Sequence, residues 1–329
     1  MTIMTAPVAK PNLHPGHLDG AAPAARKAAL DQVIAAAGDI ILGKERELRL
    51  ALACLIARGH LLIEDLPGVG KTTLAHVLAR ALGLQFRRVQ FTSDLLPADI
   101  LGASVYDRDN GGFTFHAGPI FAQLVLADEI NRATPKTQSA LLEAMEEYQV
   151  TVEGRTYALP EPFFVLATQN PSHQIGTFAL PESQLDRFLM RLELGYPDAQ
   201  AERALLRGRD RRELIANMTA AMSATTLIAI QQSLGGIHVS EALLDYIQAI
   251  LHTSRLSPHY REGLSPRAGL GLVRAAQAWA VLAGRGYVMP EDVQAVLPAV
   301  VRHRLQPAAD FTDHSSDELF KPLAAVPIP

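Results

Sequence analysis

Short apolar runs and longer amphipathic stretches alternate along the amino-terminal part of the chain. The apolar runs have the length of buried strands and lie at residues 61–63, 89–91, 124–127 and 163–168. The stretches between them repeat apolar positions at helical spacing and cover residues 45–58, 71–82 and 134–148. Strands that alternate with helices in this way predict an α/β fold, in which helices cover both faces of a parallel sheet.

In the second half of the chain, only the helical spacing of apolar positions remains. Ser240, a preferred N-cap residue, directly precedes one such stretch. We therefore predict an α/β core over residues 25–197 and an all-α domain over residues 198–305. The two ends, residues 1–24 and 306–329, are rich in proline and small residues, which predicts flexible tails.

Two segments of the predicted core have the pattern of β-hairpins. The first lies near residues 101–118 and contains Asn110-Gly111, a residue pair that favours a tight hairpin turn between alternating residues. The second lies near residues 149–160, ahead of the last predicted core strand. Both segments are therefore predicted to be β-hairpins.

Charge and cysteine content narrow the class of function. With 30 basic and 34 acidic side chains the formal net charge is -4, so neither nucleic acid nor an anionic membrane is the expected partner. No apolar run reaches the roughly 20 residues of a membrane helix, and the amino terminus lacks a signal-peptide pattern. The one cysteine, Cys54, rules out an internal disulfide. We expect a cytoplasmic protein without membrane insertion.

The strongest chemical signal is the stretch from Leu66 to Thr73, called here the phosphate loop, between a predicted strand and a predicted helix. Its glycines lack Cβ atoms, so backbone amides can turn toward phosphate oxygens, and the next helix adds its positive end. Lys71 can reach the β- and γ-phosphates of ATP, and the Thr72 hydroxyl can ligate Mg²⁺. The residues expected to bind the nucleotide here are Gly68, Val69, Gly70, Lys71, Thr72 and Thr73.

The loop departs from the strict pattern G-x-x-x-x-G-K-[ST] at its first position, where this chain has Asp65. An ordinary glycine-rich turn before a surface lysine is the alternative interpretation. The position of the loop between a strand and a helix favours phosphate binding.

A second signal is Asp128-Glu129 at the end of the predicted strand over residues 124–127. In open α/β sheets, ligands bind at the carboxyl ends of the strands. Asp128 would hold Mg²⁺, and Glu129 would act as general base toward the attacking water. The alternative is a pair of charges at a helix amino terminus. The presence of Asp128-Glu129 in the same chain as the phosphate loop favours the catalytic interpretation.

Residues 60–197 resemble the AAA+ core, and specifically the MoxR type. The resemblance is carried by the phosphate loop with the preceding residues 62–65, by Asp128-Glu129-Ile130-Asn131-Arg132-Ala133, and by three further stretches. These are residues 140–147, Ala167-Thr168-Gln169-Asn170-Pro171 and residues 180–188. The resemblance implies a P-loop NTPase core followed by an all-α lid. It also makes Asp65 less unusual, because members of the family often have another residue in place of that glycine.

The resemblance implies roles for residues beyond the phosphate loop. Asn170 would be sensor 1, although an Asx turn before a proline is the alternative. Arg187 would be the arginine finger for a neighbouring subunit, and Arg267 would be sensor 2 in the lid; ordinary ion-paired or solvated arginines are the alternatives. Leu42 and Gly43 would pack against adenine, or simply form a turn in the core.

The function implied by the resemblance is ATP hydrolysis, with Mg²⁺, in a homo-hexameric ring that remodels other proteins in a chaperone-like way. Relatives of this type assist maturation or insertion of metals and cofactors, often with von Willebrand A domain proteins, and the two hairpins would face the pore and touch clients. One alternative is a nucleotide-dependent binding switch with little hydrolysis. Another is a nucleic-acid motor, which the acidic balance speaks against.

Overall fold

A computed structural model of the chain describes residues 23–108, 111–170, 177–208, 210–309 and 316–328. Its central sheet has five strands, and all neighbouring pairs are parallel. In spatial order the strands are β2 (Phe86–Gln90), β5 (Leu124–Asp128), β8 (Phe164–Gln169), β1 (Leu61–Glu64) and β9 (Met190–Leu192). The predicted α/β class with a parallel sheet is confirmed.

The strands of this sheet divide their side chains between two apolar cores. Leu61 and Ile63 of β1 lie in one core and Leu62 lies in the other, as the two-residue period of a strand requires. Every residue of β5 is buried. A strand that is covered on both faces carries apolar side chains on both, which explains the uninterrupted apolar runs in the sequence.

Helices on both faces complete the α/β part. Those whose buried residues join the first core are α1 (Pro23–Gly38), α2 (Glu45–Ile56) and α3 (Lys71–Ala81). Those on the other face are α4 (Pro97–Leu101) and α5 (Pro135–Glu147), and a short helix, α6 (Glu182–Leu185), precedes β9. Short 3-10 turns occupy residues 119–121 and 130–132.

Two antiparallel hairpins extend from the second face. One pairs β3 (Gly102–Asp107) with β4 (Gly112–Ala117), and the other pairs β6 (Gln149–Val152) with β7 (Arg155–Ala158). Asn110 of the predicted first turn lies outside the described residues. The rings of Phe115 and Tyr157 stack with their centroids 4.0 Å apart, so the two hairpins contact each other through an aromatic pair.

The rest of the described chain is helical, which agrees with the predicted all-α lid. Asp198, Ser240 and Ser265 each accept a backbone N–H at the start of a helix, as N-cap residues do. None of the described helices is both long and apolar enough to cross a bilayer. The helices are α7 (Ala199–Arg207), α8 (Arg211–Ala216), α9 (Ala224–Ser233), α10 (Glu241–Leu256), α11 (Pro266–Leu282) and α12 (Pro290–Val301).

The structure differs from the expected tails at both ends. Helix α1 begins at Pro23, inside the range 1–24 expected to be flexible. Within the range 306–329, α13 (Ser316–Ala324) packs against α10, and Leu323 and Val326 are buried. The expectation rested on proline content, but burial of a few apolar side chains on existing helices outweighs weak local propensity.

Candidate active site

The phosphate loop follows β1 and leads into α3. Gly68 and Gly70 have φ angles of +86° and +99°, a conformation that side chains other than glycine rarely adopt. A Cβ atom added at either position would meet nothing within 4 Å. The requirement for glycine is therefore conformational, and the open space beside both residues suits a ligand that approaches the backbone closely.

Lys71, the first residue of α3, is only 7% exposed. Its Nζ donates to the Asp65 carbonyl at 2.6 Å and to Asn170 Oδ1 at 3.1 Å. Burial lowers the pKa of Lys71, while the carboxylates of Asp65, Asp128 and Glu129 oppose that shift. The ammonium group is thus held at the floor of an acidic cleft, where anionic phosphate oxygens would pair with it.

Asp128 ends β5 next to the phosphate loop. Its Oδ1 accepts the Thr168 hydroxyl at 2.6 Å, and its Oδ2 lies 3.4 Å from the Thr72 hydroxyl. The guanidinium of Arg88 on β2 pairs with the same Oδ2 at 2.7 Å. Hydroxyl and carboxylate oxygens are ligands that Mg²⁺ prefers, so Thr72 and Asp128 are the residues of the cleft that could hold the ion.

Glu129 has a left-handed backbone conformation with φ of 58°, which is uncommon for a residue other than glycine. Its N–H donates to Thr168 Oγ1 at 2.8 Å, which stabilises that conformation. Its carboxylate accepts Asn170 Nδ2 at 3.1 Å and Gln90 Nε2 at 3.0 Å, and it pairs with Arg132 at 2.8 Å. Both carboxylate oxygens are therefore engaged, and turning toward a water requires breaking one of these contacts.

The phosphate loop, the acidic pair Asp128-Glu129 and Asn170 line one cleft of about 290 Å³ at the carboxyl ends of β1, β5 and β8. The structure thus brings together most of the residues expected at the site. Val69 is outside that lining and packs against the first apolar core. The lining residues are Pro67, Gly68, Gly70, Lys71, Thr72, Thr73, Asp128, Glu129 and Asn170.

Arg187 and Arg267, called here the arginine pair, lie in a different cleft of about 280 Å³. Arg187 Nε and Arg267 Nη2 pair with the two oxygens of Glu146, at 3.0 and 3.1 Å. Arg187 precedes β9, whose first residue, Met190, is in register with the first residue of β1. The arginine pair therefore lies near the amino ends of the strands, opposite the phosphate loop.

Leu42 and Gly43 lie in the loop between α1 and α2 and are not among the residues that line the phosphate cleft. A Cβ atom at Gly43 would approach Ala201 Cβ at 3.0 Å and Asp198 Oδ2 at 3.3 Å, so this loop contacts the start of α7. The position suits a contact between the core and the lid.

Comparison with known proteins decides the family. Residues 60–190 match the model of the ATPase family associated with various cellular activities (AAA), and residues 252–323 match an AAA lid domain. The chain is 39% identical to the chaperone MoxR1 of Mycobacterium tuberculosis over 93% of this chain and 82% of MoxR1. The chain belongs to the MoxR family of AAA+ ATPases. It is also 43% identical to YeaC of Bacillus subtilis, over 88% of this chain and 92% of YeaC.

A solved structure agrees with this family. The crystal structure of a proposed ATPase from Cytophaga hutchinsonii superposes with a TM-score of 0.84 at 34% identity, covering 93% of this chain and 96% of that one. The predicted MoxR-type resemblance, the AAA+ fold with a helical lid and the assignment as an ATPase are confirmed.

Sequence analysis of this MoxR-family chain missed three side chains that contact the acidic pair. Arg88 and Gln90 lie on β2 and Thr168 lies on β8. Thr168 lies two residues before Asn170 in one of the stretches that carry the family resemblance, and this spacing was a usable signal. No pattern in the sequence identifies Arg88 and Gln90 as site residues, because only the pairing of β2 with β5 places Gln90 in register with Asp128.

Proposed function

We propose that this ATPase works with Mg²⁺ in a homo-hexameric ring and uses hydrolysis to remodel partner proteins in the cytoplasm. Proteins with von Willebrand A domains are the proposed partners, and their maturation or the insertion of a metal or cofactor is the proposed outcome. The observation that carries the proposal is the position of the arginine pair, which is remote from the phosphate cleft of its own chain.

The cleft has the groups that binding requires. ATP would bring the anhydride bond that is hydrolysed. The amides around Gly68 and Gly70 and the ammonium of Lys71 would hold its phosphates. Thr72 and Asp128 would hold Mg²⁺, and Arg88 would move away from Asp128, because two cations would repel each other there.

Glu129 and Asn170 are the proposed catalytic groups of the cleft. The carboxylate of Glu129 would accept a proton from the attacking water, and the Asn170 amide 3.1 Å away would orient that carboxylate or the water. Release of Glu129 from Gln90 and Arg132 would then be part of activation, since both donors contact the same carboxylate oxygen, Oε2.

The arginine pair supports catalysis between subunits. Strand β1 has four residues, so the Cα atoms at its two ends are about 10 Å apart. Arg187 and Arg267 lie near one end and the phosphate loop follows the other, so neither guanidinium serves its own cleft. In a ring, both would approach a neighbour's phosphates, where guanidinium groups neutralise the charge that develops during hydrolysis.

The hairpins are the proposed contact with partner proteins. Tyr106 and Phe113 on the first hairpin form an edge-to-face pair and are 54% and 67% exposed. Exposed aromatic side chains of this kind suit transient contact with other proteins. The stack of Phe115 on Tyr157 would transmit movement from one hairpin to the other. The name of MoxR1 as a chaperone also supports remodelling as the work of this chain.

The test is ATPase activity measured against protein concentration. Lys71→Ala and Glu129→Gln are each expected to abolish turnover. Arg187→Ala is also expected to be inactive alone, but mixing it with Glu129→Gln should restore part of the activity, because one interface then has an intact cleft and an intact finger. Activity that is independent of concentration, with no gain on mixing, would contradict catalysis between subunits.

A nucleotide-dependent binding switch is the second candidate. The three donors on Glu129 favour it, because a carboxylate that keeps these contacts accepts a proton from water less readily. Tight ATP binding with turnover near zero at every protein concentration would support the switch.

A further inference from the structure

Asp65, the residue in place of the first glycine of the strict phosphate-loop pattern, makes contacts that glycine cannot make. Its Oδ2 accepts the backbone N–H groups of Leu194 and Gly195, both at 2.6 Å. Its Oδ1 accepts the N–H of Leu66 at 2.7 Å. Short hydrogen bonds from amides to a carboxylate are among the stronger ones in proteins. One side chain thus ties the start of the phosphate loop to a segment 129 residues later.

That segment is the connector between core and lid, defined here as residues 193–198. It leaves the sheet after β9 and ends at the N-cap of α7, the first lid helix. Leu194 is buried in the first core, and Gly195 has a φ of +61°. Lys44 donates to the Tyr196 carbonyl at 2.9 Å, so the connector is also held by the loop before α2. A shift of the connector would therefore be passed to the lid.

The backbone of Asp65 contacts Lys71, the residue expected to bind the phosphates of the nucleotide. Its carbonyl accepts Lys71 Nζ at 2.6 Å. An ammonium that turns toward a bound phosphate must weaken this bond, because Lys71 also donates to Asn170 and has a limited number of hydrogens. Residue 65 thus contacts the phosphate-sensing lysine through its carbonyl and the connector through its carboxylate.

We propose that Asp65 is a positioning residue that couples the occupancy of the phosphate loop to the connector and hence to the lid. The proposal rests on the proposed function, because it assigns to this residue the transmission of the nucleotide state. A glycine at this position would keep the loop able to wrap phosphate but would leave the N–H groups of Leu194 and Gly195 without this acceptor.

The experiment compares the full-length wild type with Asp65→Gly, Asp65→Asn and a control, Glu193→Gln. Glu193 lies in the same connector but pairs with Arg191 and Arg302 rather than with the loop. Hydrogen exchange of the peptide over residues 193–198 is measured with and without ADP and Mg²⁺. Binding of a fluorescent ADP and the kcat and KM of ATP hydrolysis are measured on the same samples.

In the wild type and in Glu193→Gln, ADP is expected to change exchange in the connector. In Asp65→Gly, exchange without nucleotide should be about tenfold faster, since two charge-assisted hydrogen bonds are lost, and it should no longer respond to ADP. ADP affinity should stay within about threefold while kcat falls about tenfold or more, which separates coupling from binding. Asp65→Asn, which keeps one acceptor oxygen and the side-chain shape, should be intermediate.

Two results would overturn the proposal. One is unchanged connector exchange and unchanged kcat in Asp65→Gly. The other is a wild-type protein that binds ADP without any change in the hydrogen exchange of its connector. If the wild type bound no nucleotide, the proposed function would fail instead, while the comparison of exchange in the nucleotide-free proteins would still test the Asp65 contact.

Discussion

Replacing Arg304 with alanine should destabilise the protein and also prevent catalysis by the arginine pair. Arg304 follows α12 in the lid, and its guanidinium is buried. It donates to the Asp186 carboxylate at 2.6 Å and to the carbonyls of Asp186, Phe188 and Leu189 at 3.2, 2.7 and 3.1 Å. These bonds fix, from both sides, the short segment that carries Arg187.

The magnitude follows from the burial of this ion pair. Removing one partner of a buried pair costs about 3–5 kcal/mol, because the other charge is left uncompensated. The Asp186 side chain is 25% exposed and Arg267 lies 4.0 Å away, so water and a second cation reduce the loss. We therefore expect about 3 kcal/mol of lost unfolding free energy. Arg302→Ala is the matched control, because its pair with Glu193 at 3.6 Å is partly exposed and contributes about 0–1 kcal/mol.

Urea unfolding followed by circular dichroism measures the stability, and subunit mixing measures the function. Arg304→Ala should have low ATPase activity alone, because the segment that carries its Arg187 is no longer held. Mixing it with Glu129→Gln should restore part of the activity, since the Glu129→Gln subunit supplies an intact Arg187, whereas mixing it with Arg187→Ala should restore none. Arg304→Lys should fold better than Arg304→Ala yet still be impaired, since one ammonium cannot replace a planar fork that donates to four backbone carbonyls. A loss below about 1 kcal/mol in Arg304→Ala, equal to the loss in Arg302→Ala, would refute this reasoning.

Three further predictions concern other parts of the molecule. Glu146→Gln should free the arginine pair and lower the protein concentration for half-maximal ATPase activity by about fivefold, since partly exposed ion pairs contribute about 1 kcal/mol; an unchanged or higher concentration would count against it. Leu323→Ala should cost about 2–5 kcal/mol in urea unfolding, because it leaves a cavity under the carboxyl-terminal helix, whereas the exposed Ile328→Ala should cost less than about 1 kcal/mol. His60 is fully buried with both ring nitrogens hydrogen-bonded to backbone groups, and burial lowers its pKa to about 4. Because the folded pKa lies below the unfolded value of about 6.5, the stability from neutral His60 is complete above that value and is lost as pH falls toward 4. The difference in unfolding free energy between the wild type and His60→Gln should therefore shrink by about 2 kcal/mol from pH 7 to pH 5, and a constant difference would contradict the assignment.

Much of the cleft could be predicted because its groups are neighbours in sequence. Gly68, Gly70, Lys71 and Thr72 follow one another between a strand and a helix, so backbone geometry alone brings their donors to one point. Asp128 follows an apolar run, and the carboxyl ends of parallel strands share one edge of the sheet. Local pattern and one general rule of sheet topology were enough for these residues.

Contacts between distant segments could not be predicted in this way. Gln90 reaches Glu129 because β2 pairs with β5, and Asp65 reaches Leu194 because β1 pairs with β9. Glu146 accepts both members of the arginine pair although the three residues come from three separate elements. The carboxyl-terminal helix likewise depends on a surface that other helices build. Sequence periodicity determines which residues form strands and helices and which face of each is apolar. Only the tertiary structure determines which elements become neighbours. The strand order is selected by burial of the whole core, and it cannot be read from the local preferences of single segments.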